Sequence, residues 1–273
     1  MLAALIALLA HAEVRADSDV SDRIAQLDAS ISAAPKGPAV APLLLSRAEL
    51  HRLDLEWQKS LDDLDAASEL DPKLEDLELH RGLTLFRSGR LHEAIVALNG
   101  YLSSHGRDGF AWIQLGRALS GLELHAESAD AFAQAIQLSK QPAPGLVLEM
   151  SDAIQAQGPS QYATALKSIE SGIARIGPAI SLELRALELE QRLGLFDDAL
   201  SRLSRIAGEV QSKAPWLLRK GKILLLANRV DEADRALEQA KALALKMPPS
   251  RREAPANVEM IRSIEDLLAI VRD

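Results

Sequence analysis

A chain of 273 residues with 31 basic and 39 acidic side chains has a net charge of −8 and lacks the broad positive footprint of a nucleic-acid binder. Apolar residues make up 48% of it but aromatics only 3%, so a continuous core must be built mainly from leucine and alanine, as helix pairs prefer. The absence of cysteine excludes disulfides, thiol catalysis and cysteine-ligated metals.

The chain opens on a purely apolar run, residues 2–10, followed by two candidate cleavage sites, Ala10-His11-Ala12 and Val14-Arg15-Ala16. The run is too short to span a bilayer and has the make-up of an export signal, residues 1–16. The other reading is an apolar first helix packed on the rest of the chain. Residues 17–40 hold one amphipathic helix, with Ile24, Leu27 and Ile31 at helical spacing, and a loop in which Pro35, Gly37 and Pro38 end it.

From residue 41 to 247 the chain repeats itself six times. Ala48, Gly82, Gly116, Ala153, Leu187 and Gly221 follow in steps of 34, except for one step of 37. In the second half of each unit a small residue recurs: Ser60, Ala94, Ser128, Ala165, Ala199, Ala233. Four residues later stands a large apolar one: Leu64, Leu98, Phe132, Ile169, Leu203, Leu237. Seven before each of these is a bulky residue, from Trp57 through His125 and Tyr162 to Val230. Small residues permit close helix crossing and large ones fill the gap beside it. Internal turns are expected at Ser88-Gly89, Gly158-Pro159, Gly194 and near Asn228. The three extra residues lie in the break 141–145, Gln-Pro-Ala-Pro-Gly, read as a longer loop between repeats. After Pro248-Pro249-Ser250, residues 248–273 supply a last helix with Val258, Ile261, Ile264, Leu267, Leu268 and Val271 on one face.

The third unit carries the spacing in full: Trp112, Leu115 and Gly116, then Ser128, Phe132 and Ala135. This resembles the W-x2-L-G … A-x3-F-x2-A pattern of the tetratricopeptide repeat, a helix–turn–helix unit of 34 residues. The resemblance implies an all-α fold, a right-handed superhelical solenoid of antiparallel helix pairs with capping helices at both ends.

No catalytic or metal-binding arrangement emerges. The six histidines show no H-x3-H or H-E-x2-H spacing, and phosphate-binding loops, dinucleotide fingerprints and nucleophile elbows are missing. No enzymatic activity, metal or cofactor is therefore expected. The doublets Asp62-Asp63 and Asp197-Asp198 are read as first-turn residues of second helices, where a carboxylate complements the helix N-terminus. His51 and His125 fall at repeat-core positions.

In tetratricopeptide proteins the first helix of each unit lines a concave face. By register this face holds Leu45, Glu49 and Arg52, then Leu79, Leu83, Phe86 and Arg87, then Phe110, Ile113 and Arg117. Partner contacts are expected at Arg52, Phe86, Arg87, Phe110, Ile113 and Arg117, since buried aromatics and arginine dominate interfaces. Leu45, Leu79 and Ile113 recur at one register position with Met150, Leu184 and Leu218, and packing between repeats is the competing explanation. The reading is a non-catalytic scaffold or adaptor for a protein or peptide partner, a second copy of the chain included, with no nucleic acid and no stable membrane span. The export signal would place it in the periplasm or outside the cell, in envelope or secretion assembly; a regulatory subunit docking on an enzyme is the alternative.

The apolar run predicts processing. Intact-mass measurement on native protein should find a chain beginning at Glu13 or Asp17, and retention of Met1 would remove the export reading.

Overall fold

The computed structural model describes residues 19–208 and 213–272; the export-signal reading, residues 1–16, lies outside them. Among the described residues there is no strand, and no helix is long and apolar enough to cross a membrane. Two compact units divide between Lys140 and Gln141, at the start of the segment 141–145 that the sequence reads as a longer loop between repeats.

The first unit contains α1 (19–33), a single 3-10 turn at Pro38–Val40, and three helix pairs. These are α2 (Ala41–Leu53) with α3 (Trp57–Leu70), α4 (Leu77–Arg87) with α5 (Leu91–Ser104), and α6 (Gly109–Gly121) with α7 (His125–Leu138). The second unit contains α8 (Pro144–Ala156) with α9 (Tyr162–Ile176), α10 (Ile180–Arg192) with α11 (Phe196–Gly208), and α12 (Ala214–Leu226) with α13 (Val230–Leu245). A short α14 (Pro249–Arg252) and α15 (Pro255–Arg272) follow. In the first unit the first helices also pack side by side, α2 on α4 and α4 on α6.

The helix pairs close where the size pattern demands it. A Cβ added at Gly82 would lie 2.7 Å from Leu98 Cγ, one at Gly116 2.7 Å from Phe132 Cε1, and one at Gly221 2.7 Å from Leu237 Cδ2. All six small residues of the second helices, Ser60 to Ala233, are fully buried, and so are the six large ones. Ser128 adds a hydrogen bond across the crossing, its Oγ donating to the Gly116 carbonyl at 2.8 Å. Leu187 is the exception at the small position, and α10 and α11 pack least intimately of the six pairs. Beside that looser crossing sits a buried cation. Arg202 of α11 donates through Nε to Glu190 Oε1 at 3.0 Å, and its other nitrogens reach Glu183 of α10 and Glu170 of α9.

Five of the six internal turns share one construction. The N–H groups of Glu56, Arg90, Leu124, Leu195 and Arg229 each donate to the carbonyl five residues back, at 2.8–3.0 Å. The residue before each is left-handed: Leu55 (φ 60°), Gly89 (φ 82°), Glu123 (φ 60°), Gly194 (φ 72°), Asn228 (φ 56°). This is the Schellman closure, which satisfies the last carbonyls of the first helix. Leu55 and Glu123 adopt it against the steric preference of L-residues, which marks how firmly the helix pair dictates the turn. The bulky residue of each repeat then opens the second helix, Trp57 starting α3 and Phe196 starting α11.

The end helices pack as their spacing implies, with two revisions. In α1 Ile31 reaches the core built by Val40, Ala41, Leu44, Leu61 and Leu64, and Arg47 of α2 ties Asp28 of α1 to Asp63 of α3. In α15 Ile264 and Leu268 are buried against α12 and α13, but Val258 stays 43% exposed and Met260 takes the buried place. The Asp62-Asp63 doublet also departs from expectation. It lies in the second turn of α3 rather than its first, and Asp63 is 6% exposed. Asp63 accepts two hydrogen bonds from half-buried Arg47, at 2.8 and 2.6 Å, so it answers a neighbouring cation and not a helix end.

Two glycines separate packing from propensity. Gly116→Leu should overpack α6 on α7 and cost about 1–3 kcal/mol or more. Gly100 in α5 has nothing within 4 Å of an added Cβ, so Gly100→Ala should stabilise by up to about 1 kcal/mol. Thermal midpoints moving in opposite directions support this register of helix crossings; an unchanged midpoint for Gly116→Leu contradicts it.

Candidate protein-interaction face

Each first helix of the first unit presents one stripe at helical spacing: Leu45, Glu49 and Arg52 on α2; Leu79, Leu83 and Phe86 on α4; Phe110, Ile113 and Arg117 on α6. Because α2, α4 and α6 lie side by side, the three stripes form one face. The start of α6 is set by Asp108, whose carboxylate accepts from the backbone N–H groups of Phe110 at 2.8 Å and Ala111 at 3.1 Å. Tyr101 holds that cap from α5, its hydroxyl donating to Asp108 at 3.0 Å. Such a cap contributes about 0.5–2 kcal/mol to the helix and orients Phe110 at its second residue.

The six expected contact residues differ in depth. Phe110 is 52% exposed, which is unusual for so large an apolar side chain. Ile113 beside it is half-buried, and Arg117 is exposed one turn further on. Phe86 is half-buried against the core shared by α2, α3 and α4, so much of its surface already serves the fold. Arg87, the last residue of α4, is exposed, while Arg52 near the end of α2 is half-buried. The core alternative for Leu45, Leu79 and Ile113 is visible in the same way: all three are half-buried, and Leu79 packs against the α5–α6 core.

The electrostatics concentrate at one place. His80 of α4 lies 3.1 Å through Nε2 from Glu49 of α2. Burial holds the His80 pKa below its ordinary value; Glu49 opposes this, Arg52 adds to it and Asp76 opposes it. Burial likewise lowers the Arg52 pKa, with Glu49 opposing and Arg87 adding its own repulsion. The Nε of Arg52 and the Nδ1 of His80 are both buried without a hydrogen-bond partner. Sequence reasoning placed Glu49, His80 and Arg52 on first helices but did not predict the contact between Glu49 and His80. The link shows only once α2 and α4 are side by side.

The charge of this unit is sorted by layer. Its first helices carry five arginines against two glutamates, its second helices one lysine against seven carboxylates. Among the described residues no group of three or more histidines and carboxylates could hold a metal ion.

No family model and no curated protein matches this sequence. Solved structures do match. A tetratricopeptide repeat protein from Parabacteroides merdae is 15% identical, with 96% of this chain and 95% of that one covered and a TM-score of 0.53. The C-terminal part of a TPR repeat-containing protein from Cytophaga hutchinsonii is 12% identical over 90% and 95%, with a TM-score of 0.63. YrrB, described as a TPR protein with an unusual peptide-binding site, is 15% identical over 67% and 93%, with a TM-score of 0.50.

His80 makes the face sensitive to pH. Its folded pKa lies below the ordinary 6.5, so the unfolded chain takes up this proton first as pH falls. The stability from keeping His80 neutral is complete above about pH 6.5 and is lost from there down to the folded pKa. Between about pH 7.5 and about pH 5.5 the urea midpoint of the wild type should fall more steeply than that of His80→Gln, and equal slopes would contradict this assignment.

Helix pairs repeating at a near-constant step, five of six closed by one turn and five of six crossing at a small residue, together with these neighbours, show that the chain has the fold of a tetratricopeptide-repeat array.

Proposed function

We propose that the chain is a non-catalytic scaffold that holds an extended segment of a protein partner on the face of α2, α4 and α6. The observation that carries this reading is Phe110, 52% exposed on a capped helix start, in one stripe with half-buried Ile113 and exposed Arg117. An aromatic and an arginine around a partly buried aliphatic residue are the usual energetic centre of a protein interface. Shared fold with YrrB is consistent with peptide binding, but the assignment rests on the residues of this face. Read with the apolar run of residues 2–10 as an export signal, the scaffold works in the periplasm or outside the cell, in envelope or secretion assembly.

Affinity capture from native cells followed by mass spectrometry would identify the partner, and its nature separates the readings. An assembly component supports the scaffold; a stably bound enzyme supports a regulatory subunit. Within the face, Phe110→Ala should weaken partner binding by about 2 kcal/mol or more while leaving the thermal midpoint in place, because half of its surface is already in water. Phe86→Ala should lower the midpoint, since Phe86 also fills the core. Titration of the captured partner against each variant checks both, and full affinity in folded Phe110→Ala moves the site elsewhere.

A further inference from the structure

We propose that the groove between α5 and α7, floored by α6, is a second docking site of this chain. Its occupant is a polypeptide segment of a partner in which an arginine stands next to a bulky apolar residue. None of the residues that line the groove belongs to the first-helix face, so the site goes beyond the binding reading above and does not depend on it.

The groove encloses about 550 Å³. Leu115 and Leu119 of α6 and Ala131 of α7 form its buried floor, and half-buried Trp112 completes it. The indole N–H of Trp112 donates to the Gly106 carbonyl at 2.9 Å, which fixes the ring in place. Along α7 the edge is acidic, with Glu127 and Asp130 both exposed. Among the described residues neither carboxylate is paired with a cation.

The preceding repeat shows what a groove at this register holds. Between α3 and α5, over α4, it is lined by Arg81 and Arg90 of the chain itself. Arg81 donates to Asp65 at 2.6 Å and lies 3.4 Å from Glu78, while Arg90 donates through Nε to Glu93 at 2.7 Å. One step of 34 residues replaces Arg81 and both its partners together, by Leu115, Asn99 and Trp112. Arg90 is replaced by Leu124, but its partner Glu93 persists as Glu127, and Val96 becomes Asp130. The third repeat thus keeps a carboxylate without its arginine and gains a second one, and Leu124, where the arginine would stand, is 40% exposed.

Trp112 and Leu115 belong to the repeat signature, and the packing of α6 on α5 accounts for them. An acidic α7 likewise fits a unit whose second helices hold one lysine against seven carboxylates. Neither explains why Glu127 persists unpaired beside an exposed leucine. A guanidinium supplied by a partner would meet Glu127 as Arg90 meets Glu93, fork to carboxylate, with the indole of Trp112 lining the same groove. Arginine suits the place better than lysine, because only the planar group binds a carboxylate bidentately and stacks on a ring. A metal ion or a free amine would leave the apolar floor and Leu124 in water, whereas an apolar neighbour in a polypeptide covers them.

The test selects a displayed library of random twelve-residue peptides on the full chain, then measures the leading peptides by fluorescence anisotropy. Peptides that carry arginine beside a bulky apolar residue should be enriched. Changing that arginine to glutamine, or combining Glu127→Gln with Asp130→Asn in the protein, should each weaken binding about tenfold or more. Both protein positions are exposed, so the thermal midpoint should stay in place. Leu124→Arg, which gives Glu127 the partner that Glu93 has, should weaken binding as much, and Leu124→Gln should not. Asp62→Asn with Glu69→Gln, two exposed carboxylates of α3, measures the general attraction of a basic peptide to an acidic chain and should change affinity less than about twofold. Peptides that respond equally to the two pairs, that need Phe110 and not the α7 carboxylates, or that carry no cation would overturn the site, as would a selection that enriches nothing.

Discussion

At the centre of three of the six helix pairs a backbone with no room for a side chain meets a large apolar group of its partner. Gly82 lies under Leu98, Gly116 under Phe132 and Gly221 under Leu237. Much else follows from that approach. Helices this close need a tight connection, and the Schellman turn supplies one with its last carbonyls satisfied. The turn in turn dictates a left-handed residue, which even Leu55 and Glu123 accept. Where the small residue is missing, Leu187 of α10 shares a buried cluster with Ala199 and Leu203 of α11, and a buried guanidinium with its carboxylates occupies that region. Breaking such a cluster by removing one partner typically costs about 3–5 kcal/mol, although replacing all of it with apolar side chains need not. It is therefore better understood as fixing the way these helices meet than as a source of net stability.

The fold was legible in the sequence because side-chain size alternates with a fixed step, and size decides how near two helices come. Ala48, Ala153 and the three crossing glycines could be aligned by counting alone. Charge was less legible. Asp62-Asp63 read as a helix-start doublet because first-turn carboxylates are common, yet Asp63 faces inward to Arg47, sixteen residues away. The signal available was that Arg47 and Asp63 both fall at inward positions of their helical periods. The same holds for Glu183, Glu190 and Arg202, which would have stood out as charges on apolar faces. Met260 displaced Val258 from the buried side of α15 because the axis of a capping helix is set by the surface it covers, which a single helix cannot disclose.

For the candidate site, register names the residues on the face but not their depth. Phe86 and Phe110 look equivalent in the sequence as aromatic groups on first helices. One packs into the α2–α3–α4 core and the other stands half in water, since Phe110 opens its helix and Phe86 nearly closes its own. The contact of His80 with Glu49 joins two repeats, which no periodicity within one repeat encodes.

The layering of charge has a kinetic consequence as well. A unit whose first helices are basic and whose second helices are acidic is an electric dipole lying across the layers. For the partner segment proposed above on the face of α2, α4 and α6, such layering favours approach from the side of the first helices wherever that segment is acidic. At physiological ionic strength the field reaches only about 8 Å into solution, so the guidance operates over the last steps of approach. Its mark would be an association rate that falls with added salt while the dissociation rate changes far less. The net charge of −8 is thus unevenly placed in this unit, its first helices basic and its second helices acidic.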